Sequence, residues 1–262
     1  MNITVLGSCS GTEPMPGRHH VSFAVELDGG VYWFDAGESC SHNAHVGGVN
    51  LLATRAVFVS HAHMDHVGGL PNLLRNLRKL ETRCEGPSPL LGKTVHVRIP
   101  DMRVWQAILD LLLASMNGFQ AGFALDARPT QDGVCYEDGR LRVRALHNRH
   151  VGEPAPGEPW LSFSYRAEAD GKSLVYSGDV RHVSDFAPLL DGGCDLLFME
   201  TGHHKVPEVC TWLKESGKDF GRLAFIHHGR AILADPPSQL AEARSILGDR
   251  VLVAEDGMRL SL

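Results

Sequence analysis

The hexapeptide His61-Ala62-His63-Met64-Asp65-His66 constrains this chain more than any other segment. It places three imidazoles and one carboxylate directly after the apolar run 56–60 and before Gly68-Gly69. Side chains alternate along an extended chain, so His61 and His63 point to the same side. Imidazole nitrogen and carboxylate oxygen are ligands suited to Zn²⁺ and its first-row neighbours. The sequence therefore predicts a metal site where a buried strand ends.

The overall composition is that of a globular protein and argues against several classes of partner. The chain has 262 residues, of which 43% are hydrophobic and 21% charged, as in ordinary soluble domains. Its net charge of −6 argues against a nucleic-acid partner, because such partners usually require a basic surface. Six scattered cysteines without a CxxC pair indicate reduced thiols. Residues 1–6 lack the features of a signal peptide and no stretch reaches transmembrane length, so we expect a cytoplasmic protein.

Hydrophobic periodicity predicts alternating strands and helices in a single α/β domain, residues 1–262. Helical spacing indicates helices at 70–80, 104–116, 206–215 and 238–247. The second is apolar nearly all round and is expected to be buried, whereas the basic stretch 75–83 is typical of a solvated helix face. Two packed sheets with outer helices are the simplest arrangement. Strands are predicted at 3–6, 22–27, 31–34, 56–60, 94–99, 141–146, 161–166, 173–176, 195–199, 223–226 and 251–253.

Polar motifs recur where several of these strands end. Leu146-His147-Asn148-Arg149-His150 and Tyr176-Ser177-Gly178-Asp179 follow two of them. Met199-Glu200-Thr201-Gly202-His203-His204 and Ile226-His227-His228-Gly229 follow the next two. Each motif alone would be explained as a turn or as a hydrogen-bonded surface residue. Because strand-end loops are where layered scaffolds usually carry their sites, the repetition predicts one shared site.

With these motifs in this order, the chain resembles the metallo-β-lactamase superfamily over nearly its whole length. Leu6-Gly7-Ser8-Cys9-Ser10-Gly11, Gly17-Arg18 and Phe34-Asp35-Ala36-Gly37-Glu38 are similar to the branch that holds ribonuclease Z and related phosphodiesterases. The resemblance implies a four-layer αββα sandwich and a binuclear metal-dependent hydrolase. It also implies a homodimer, by analogy with that branch.

The resemblance further implies two divalent metal ions, Zn²⁺ first, with Mn²⁺ or Fe as alternatives because His and carboxylate ligands discriminate poorly among them. In the third motif His147 stays an alternative to His150, and in the last motif His228 stays an alternative to His227. The preferred ligands are His61, His63 and His150 for one ion, Asp65, His66 and His227 for the other, and Asp179 as the bridge.

Two such ions about 3.5–4 Å apart hold a hydroxide between them and bind both the attacking and the leaving oxygens. Asp65 would also orient the attacking water. Gly202-His203 is similar to the ribonuclease Z segment whose histidine assists the leaving oxygen of a phosphodiester. His203 is therefore the predicted general acid, with Glu200 as its orienting neighbour.

The chain departs from ribonuclease Z where that family inserts a long basic arm that grips tRNA. Asp179 follows His150 by only 29 positions, which leaves no room for the arm. The sequence therefore predicts a phosphodiesterase acting on a small or cyclic phosphodiester. The alternatives are an ester or lactone hydrolase on the same centre, a ribonuclease Z-like endoribonuclease, and a metal-binding sensor with a vestigial site.

Overall fold

The computed structural model describes residues 1–11, 15–115 and 118–262. Its strands, in chain order, are β1 Asn2–Gly7, β2 Ser22–Leu27, β3 Gly30–Phe34, β4 Thr54–Phe58, β5 Thr94–Ile99, β6 Ala124–Pro129, β7 Gly133–Glu137, β8 Arg142–His147, β9 Phe163–Ala169, β10 Lys172–Tyr176, β11 Leu196–Thr201, β12 Arg222–His228, β13 Val251–Val253 and β14 Arg259–Ser261. Its α-helices are α1 Cys40–Val46, α2 Met64–Val67, α3 Leu70–Glu81, α4 Met102–Ser115, α5 Val206–Glu215, α6 Arg230–Ala234 and α7 Pro236–Leu247. Two 3₁₀ helices lie at Leu51–Ala53 and Val183–Leu190.

The strands form two seven-stranded sheets. The first has the order β14-β1-β2-β3-β4-β5-β6 and the second the order β13-β12-β11-β10-β9-β8-β7. In each sheet four consecutive strands are parallel, β3 to β6 in the first and β10 to β13 in the second, while the other pairs are antiparallel. Parallel neighbours end at the same edge of their sheet, so the residues that follow them come together.

Three buried apolar layers separate four layers of structure. Between the sheets, the Phe23 ring of the first sheet lies 4.8 Å from the Phe198 ring of the second. Outside the first sheet, α3 buries one stripe, which includes Leu70 and Leu77. Outside the second sheet, α5 buries Val209 in the same way. Helix, sheet, sheet and helix follow one another, so the predicted αββα sandwich is confirmed.

The helix predictions succeed except for the burial of α4. Helices α3, α5 and α7 lie where the spacing predicts them, and α4 covers the predicted stretch up to Ser115, while residue 116 lies outside the described part of the chain. The expectation that α4 is buried all round is wrong, because Leu111 is 56% exposed and Leu113 is 49% exposed. The buried residues of α4 form one stripe, Trp105, Ile108 and Leu112.

Strands β6, β7 and β14 were not predicted, and each is an edge strand of its sheet. Edge strands are often short and polar, since an apolar edge would pair with other chains. In β6, Asp126 and Arg128 interrupt the apolar run.

Among the described residues, no helix has the length and apolar character that a membrane span requires.

Candidate metal centre

Four of the predicted ligands lie together in a first group, at one edge of the sandwich. Their donor atoms, from His61, His63, His150 and Asp179, all lie within 4.8 Å of one another. The His61 Nε2 atom lies 2.9 Å from His63 Nδ1, and His150 Nε2 lies 3.3 Å from the same atom. Asp179 Oδ2 lies 3.7 Å from His61 Nε2 and 3.6 Å from His150 Nε2. These separations are those of donors around a common point.

The second group consists of Asp65, His66 and His227. Asp65 Oδ2 lies 3.1 Å from His227 Nε2 and 3.5 Å from His66 Nε2. Asp179 also borders this group, because its Oδ2 lies 3.4 Å from His66 Nε2 and its Oδ1 lies 3.3 Å from His227 Nδ1. The Asp179 carboxylate thus stands between the two groups.

Three buried polar atoms in this cluster have no hydrogen-bond partner of acceptable geometry: His66 Nε2, Asp179 Oδ1 and His227 Nδ1. Buried polar atoms are nearly always paired, so atoms left unpaired at one place require an explanation. Imidazole and carboxylate atoms that converge without partners are suited to a divalent cation. These unpaired atoms indicate that the side chains of the cluster fit a bound metal ion.

The pKa values of the histidines also differ between the two groups. Burial alone would lower the pKa of His66, but Asp179 and Asp35 outweigh it and raise that pKa well above its usual range. Burial likewise would lower the pKa of His227, but Asp179 and Asp65 raise it to about 9. The raised pKa values favour the protonated forms of these imidazoles, so a bound cation would compete with protons in this group.

In the first group, burial and the nearby His66 lower the pKa of His61 well below its usual range. Burial lowers the pKa of His150 to about 4, aided by the neighbouring His203 and His63 against the opposing effect of Asp179. His61 and His150 are therefore neutral near pH 7, and a neutral imidazole has a lone pair available to a metal.

The backbone that presents these ligands is constrained. Gly178 has φ +56°, and a Cβ there would lie 2.7 Å from the Phe163 carbonyl oxygen, so only glycine allows the turn that delivers Asp179. Asp35 and His227 also have positive φ, 55° and 52°. Non-glycine residues rarely adopt this conformation, and backbone strain of this kind clusters at functional sites.

Asp35 is the main site residue that the sequence did not single out as a partner of the ligands. It is fully buried after β3, and its carboxylate accepts four hydrogen bonds: Ser60 N at 2.6 Å, Ser60 Oγ at 2.8 Å, Tyr176 Oη at 2.7 Å and His66 Nδ1 at 2.7 Å. The bond to Nδ1 fixes the His66 tautomer and turns Nε2 towards the cluster. Its signal in the sequence is Phe34-Asp35-Ala36-Gly37, a carboxylate at a strand end.

His203 lies at the rim of the cluster, where it is accessible to a ligand. Its side chain is 45% exposed, and its Nδ1 lies 3.2 Å from Glu200 Oε1 and 3.7 Å from Asp179 Oδ2. Glu200 is fully buried and also accepts the His203 backbone N–H at 2.9 Å. The bond to Glu200 is the main reason that the pKa of His203 is raised. A Cβ on Gly202 would lie 2.6 Å from His227 Nδ1, so glycine is needed before His203.

The two alternative histidines lie outside the cluster. His147 donates from Nδ1 to Asp132 Oδ2 at 2.6 Å, and its ring stacks on Trp160 at 4.0 Å. His228 donates from Nε2 to the Ala254 carbonyl at 2.7 Å, and burial lowers its pKa to about 4. The structure therefore brings His150 and His227 together with the other predicted ligands.

Residues 33–229 match the model of the Beta-lactamase superfamily domain. The chain belongs to the beta-lactamase superfamily. A curated relative named ribonuclease Z, from Picrophilus torridus, is 42% identical over 293 aligned positions, which cover 97% of this chain and 93% of the relative. The superfamily fold is seen in YhfI from Bacillus subtilis (TM-score 0.74, 18% identity, 99% and 98% of the two chains). It is seen as well in the short form of human tRNase Z (TM-score 0.70, 18% identity, 100% and 99%). The predicted membership is confirmed, and the protein is a metal-dependent hydrolase.

Metal content distinguishes the two histidines of the third motif in this superfamily member. We expect His150→Ala to lose bound metal, because it removes a donor atom 3.3 Å from His63 Nδ1. His147→Ala should keep two equivalents of metal, because its ring bonds to Asp132. Elemental analysis after reconstitution with zinc measures both variants. Loss of metal from His147→Ala with full retention in His150→Ala would contradict the assignment.

Proposed function

We propose that the protein is a phosphodiester hydrolase whose seven clustered side chains hold two divalent ions, Zn²⁺ first, with Mn²⁺ and Fe as alternatives. The observation that carries the proposal is the position of His203 beside the cluster of proposed ligands. Its Nδ1 lies 3.2 Å from Oε1 of the buried Glu200 and 3.7 Å from Asp179 Oδ2, so it is placed to donate a proton. When bound, two divalent ions supply an activated water and neutralise charge on the phosphoryl oxygens.

The chain itself would supply orientation and a proton. Because Nδ1 of His203 bonds to Glu200, its Nε2–H is the proton available to a leaving oxygen. The raised pKa of His203 keeps the imidazole protonated towards neutral pH, which favours general-acid catalysis. The neighbouring His203 and His227 imidazoles outweigh the burial of Glu200 and lower its pKa to about 2, so it stays ionised and fixes the His203 ring. Asp65, partly exposed beside His227, is suited to orient the attacking water.

For the substrate, we propose RNA as well as small diesters. The expectation that nucleic acid is an unlikely partner is not supported, because curated relatives carry the name ribonuclease Z. The alignment with the Picrophilus torridus relative spans 293 positions although this chain has 262 residues, so that relative has segments that are missing here. A chain with the same chemistry but fewer segments would cleave phosphodiesters by a reduced set of contacts to the rest of the substrate.

A substrate panel tests this function. Protein reconstituted with zinc or manganese would be assayed against bis(p-nitrophenyl) phosphate, single-stranded RNA, a cyclic nucleotide, a lactone and a β-lactam. We expect metal-dependent cleavage of the phosphodiesters and much slower turnover of the lactone and the lactam. Faster lactone turnover would favour an ester hydrolase. Less than one equivalent of metal, with no activity after reconstitution, would contradict any hydrolase and favour a sensor.

A further inference from the structure

A basic groove of about 360 Å³ lies between α1 and α3, on the outer side of the first sheet. Its floor is closed by a hydrogen bond of 2.9 Å from Asn76 Nδ2 to Ser41 Oγ, which ties α3 to α1. Histidines from α1 line one wall, and three cations of the α3 segment line the other. The basic lining residues are His42, His45, Arg75, Lys79 and Arg83.

The positive charge of this groove is uncompensated. No acidic side chain lines it, and no carboxylate within residues 1–11, 15–115 and 118–262 comes within 4.0 Å of the Arg75, Lys79 or Arg83 side-chain nitrogens. Arg75 and Lys79 are four residues apart on α3, so their like charges repel each other, and Arg83 follows shortly after the helix ends. A plain solvated face would alternate charges, whereas this one concentrates positive charge on a protein of net charge −6. The pattern fits an anionic ligand with repeated charges.

The two helices that line the groove begin next to the candidate metal centre. Gly69, directly before α3, donates its N–H to the Ala36 carbonyl at 2.8 Å, and Ala36, shortly before α1, donates to the His66 carbonyl at 2.7 Å. Both helices therefore start close to the backbone of the ligand His66. With a rise of about 1.5 Å per residue, Lys79 stands about 14 Å along α3 from Leu70. Arg75 and Lys79 are then about 6 Å apart along the helix.

We propose that the α1–α3 groove binds the phosphodiester backbone of an RNA strand whose scissile bond lies at the metal centre. The inference rests on the proposed function and adds to it a second contact region for a long substrate. Cations spaced along the groove bind successive phosphates without reading bases, so the contact is independent of sequence and sensitive to salt. Such a region would perform part of the work of segments that the relatives have and this chain lacks.

The test compares two triple variants with the same change of charge. Arg75→Gln, Lys79→Gln and Arg83→Gln together remove the cations of the groove. Arg140→Gln, Arg142→Gln and Arg144→Gln remove three exposed cations around the β7–β8 turn of the other sheet. Binding of a fluorescent oligouridylate of about 20 nucleotides is measured by anisotropy between 50 and 200 mM salt. Cleavage of bis(p-nitrophenyl) phosphate, which fills only the metal centre, is measured in parallel.

We expect the groove variant to bind the oligouridylate about tenfold more weakly, and the slope of log K against log salt to become shallower by about 2, since each phosphate contact to a single strand contributes about 0.7. Its kcat/KM for bis(p-nitrophenyl) phosphate and its melting temperature should match those of the wild type. The control variant should keep the wild-type salt slope.

Unchanged RNA affinity and salt slope in the groove variant would overturn the proposal, as would an equal loss in the control. It would also be overturned if a dinucleotide bound as well as the long RNA and inorganic phosphate competed fully with both, because the groove would then hold a single free phosphate. Failure of the proposed function looks different: the metal-loaded wild type would cleave no diester, while anisotropy would still report on the groove.

Discussion

Replacing Asp179 by Asn should remove nearly all hydrolytic activity. This carboxylate lies within 3.7 Å of donor atoms from both ligand groups, so it would contact both of the proposed ions and offset part of their charge. Metal ions supply several kcal/mol of transition-state stabilisation. At 1.36 kcal/mol per tenfold, loss of about 4–5 kcal/mol lowers kcat/KM by about 10³–10⁴. Steady-state kinetics on bis(p-nitrophenyl) phosphate, with elemental analysis on the same sample, measures both the rate and the number of ions.

Asp132→Asn is the matched control for this variant, because Asp132 also bonds to a histidine, His147, but outside the cluster. It should keep both metals and wild-type kinetics. Similar melting temperatures of the two metal-free variants would show that the loss at Asp179 is local. Full activity with two bound equivalents in Asp179→Asn would contradict its bridging role.

The candidate site could be predicted from the sequence because its proposed ligands lie at strand ends. His61 follows β4, Asp179 follows β10 and His227 lies at the end of β12. Each strand was predictable from its apolar run, and parallel neighbours place their carboxyl ends at one edge. Two packed sheets with outer helices followed from the same pattern, since helices with one apolar stripe must cover the sheets, whereas the four-layer αββα order was implied by the family resemblance.

The contacts that complete the site depend on tertiary packing and were not predictable. Tyr176 donates a hydrogen bond to Asp35, which lies 141 positions away in the chain. Neither residue type by itself predicts a buried hydrogen-bond network. The choice between His147 and His150 was likewise open, because it depends on a loop that turns His150 towards His63 and His147 towards Asp132. The exposure of Leu111 on α4 could not be predicted for the same reason, since an apolar helix sequence does not show which of its faces packs on the sheet.

The groove between α1 and α3 also could not be predicted from the sequence. The basic stretch 75–83 was visible in the sequence, but helix α1 was not predicted. Without α1, the cations belong to a single solvated helix. With it, they form one wall of a cleft whose floor is the Asn76–Ser41 hydrogen bond. A charge pattern acquires a functional interpretation only when the element opposite it is known.

Replacing His203 by Ala should slow the cleavage of RNA by about 10²–10⁴-fold, which is the usual contribution of a general acid. The alkoxide that leaves from RNA is a strong base and needs a proton. By contrast, p-nitrophenolate is a weak base and leaves without one. The same variant should therefore lose less than tenfold on bis(p-nitrophenyl) phosphate, and it should keep two equivalents of metal.

This pair of substrates separates a proton donor from a metal ligand, which matters because His203 Nδ1 also lies 3.7 Å from Asp179 Oδ2, in a group with His227 that itself could hold an ion. If His203 binds metal, both substrates slow together and metal is lost. If it donates the proton, the two rates diverge according to the basicity of the leaving group while metal content stays constant. His147→Ala, which alters a histidine outside the cluster, should change neither rate. Equal losses on both substrates with full metal content would rule out the proton-donor role and leave His203 with a part in binding the substrate.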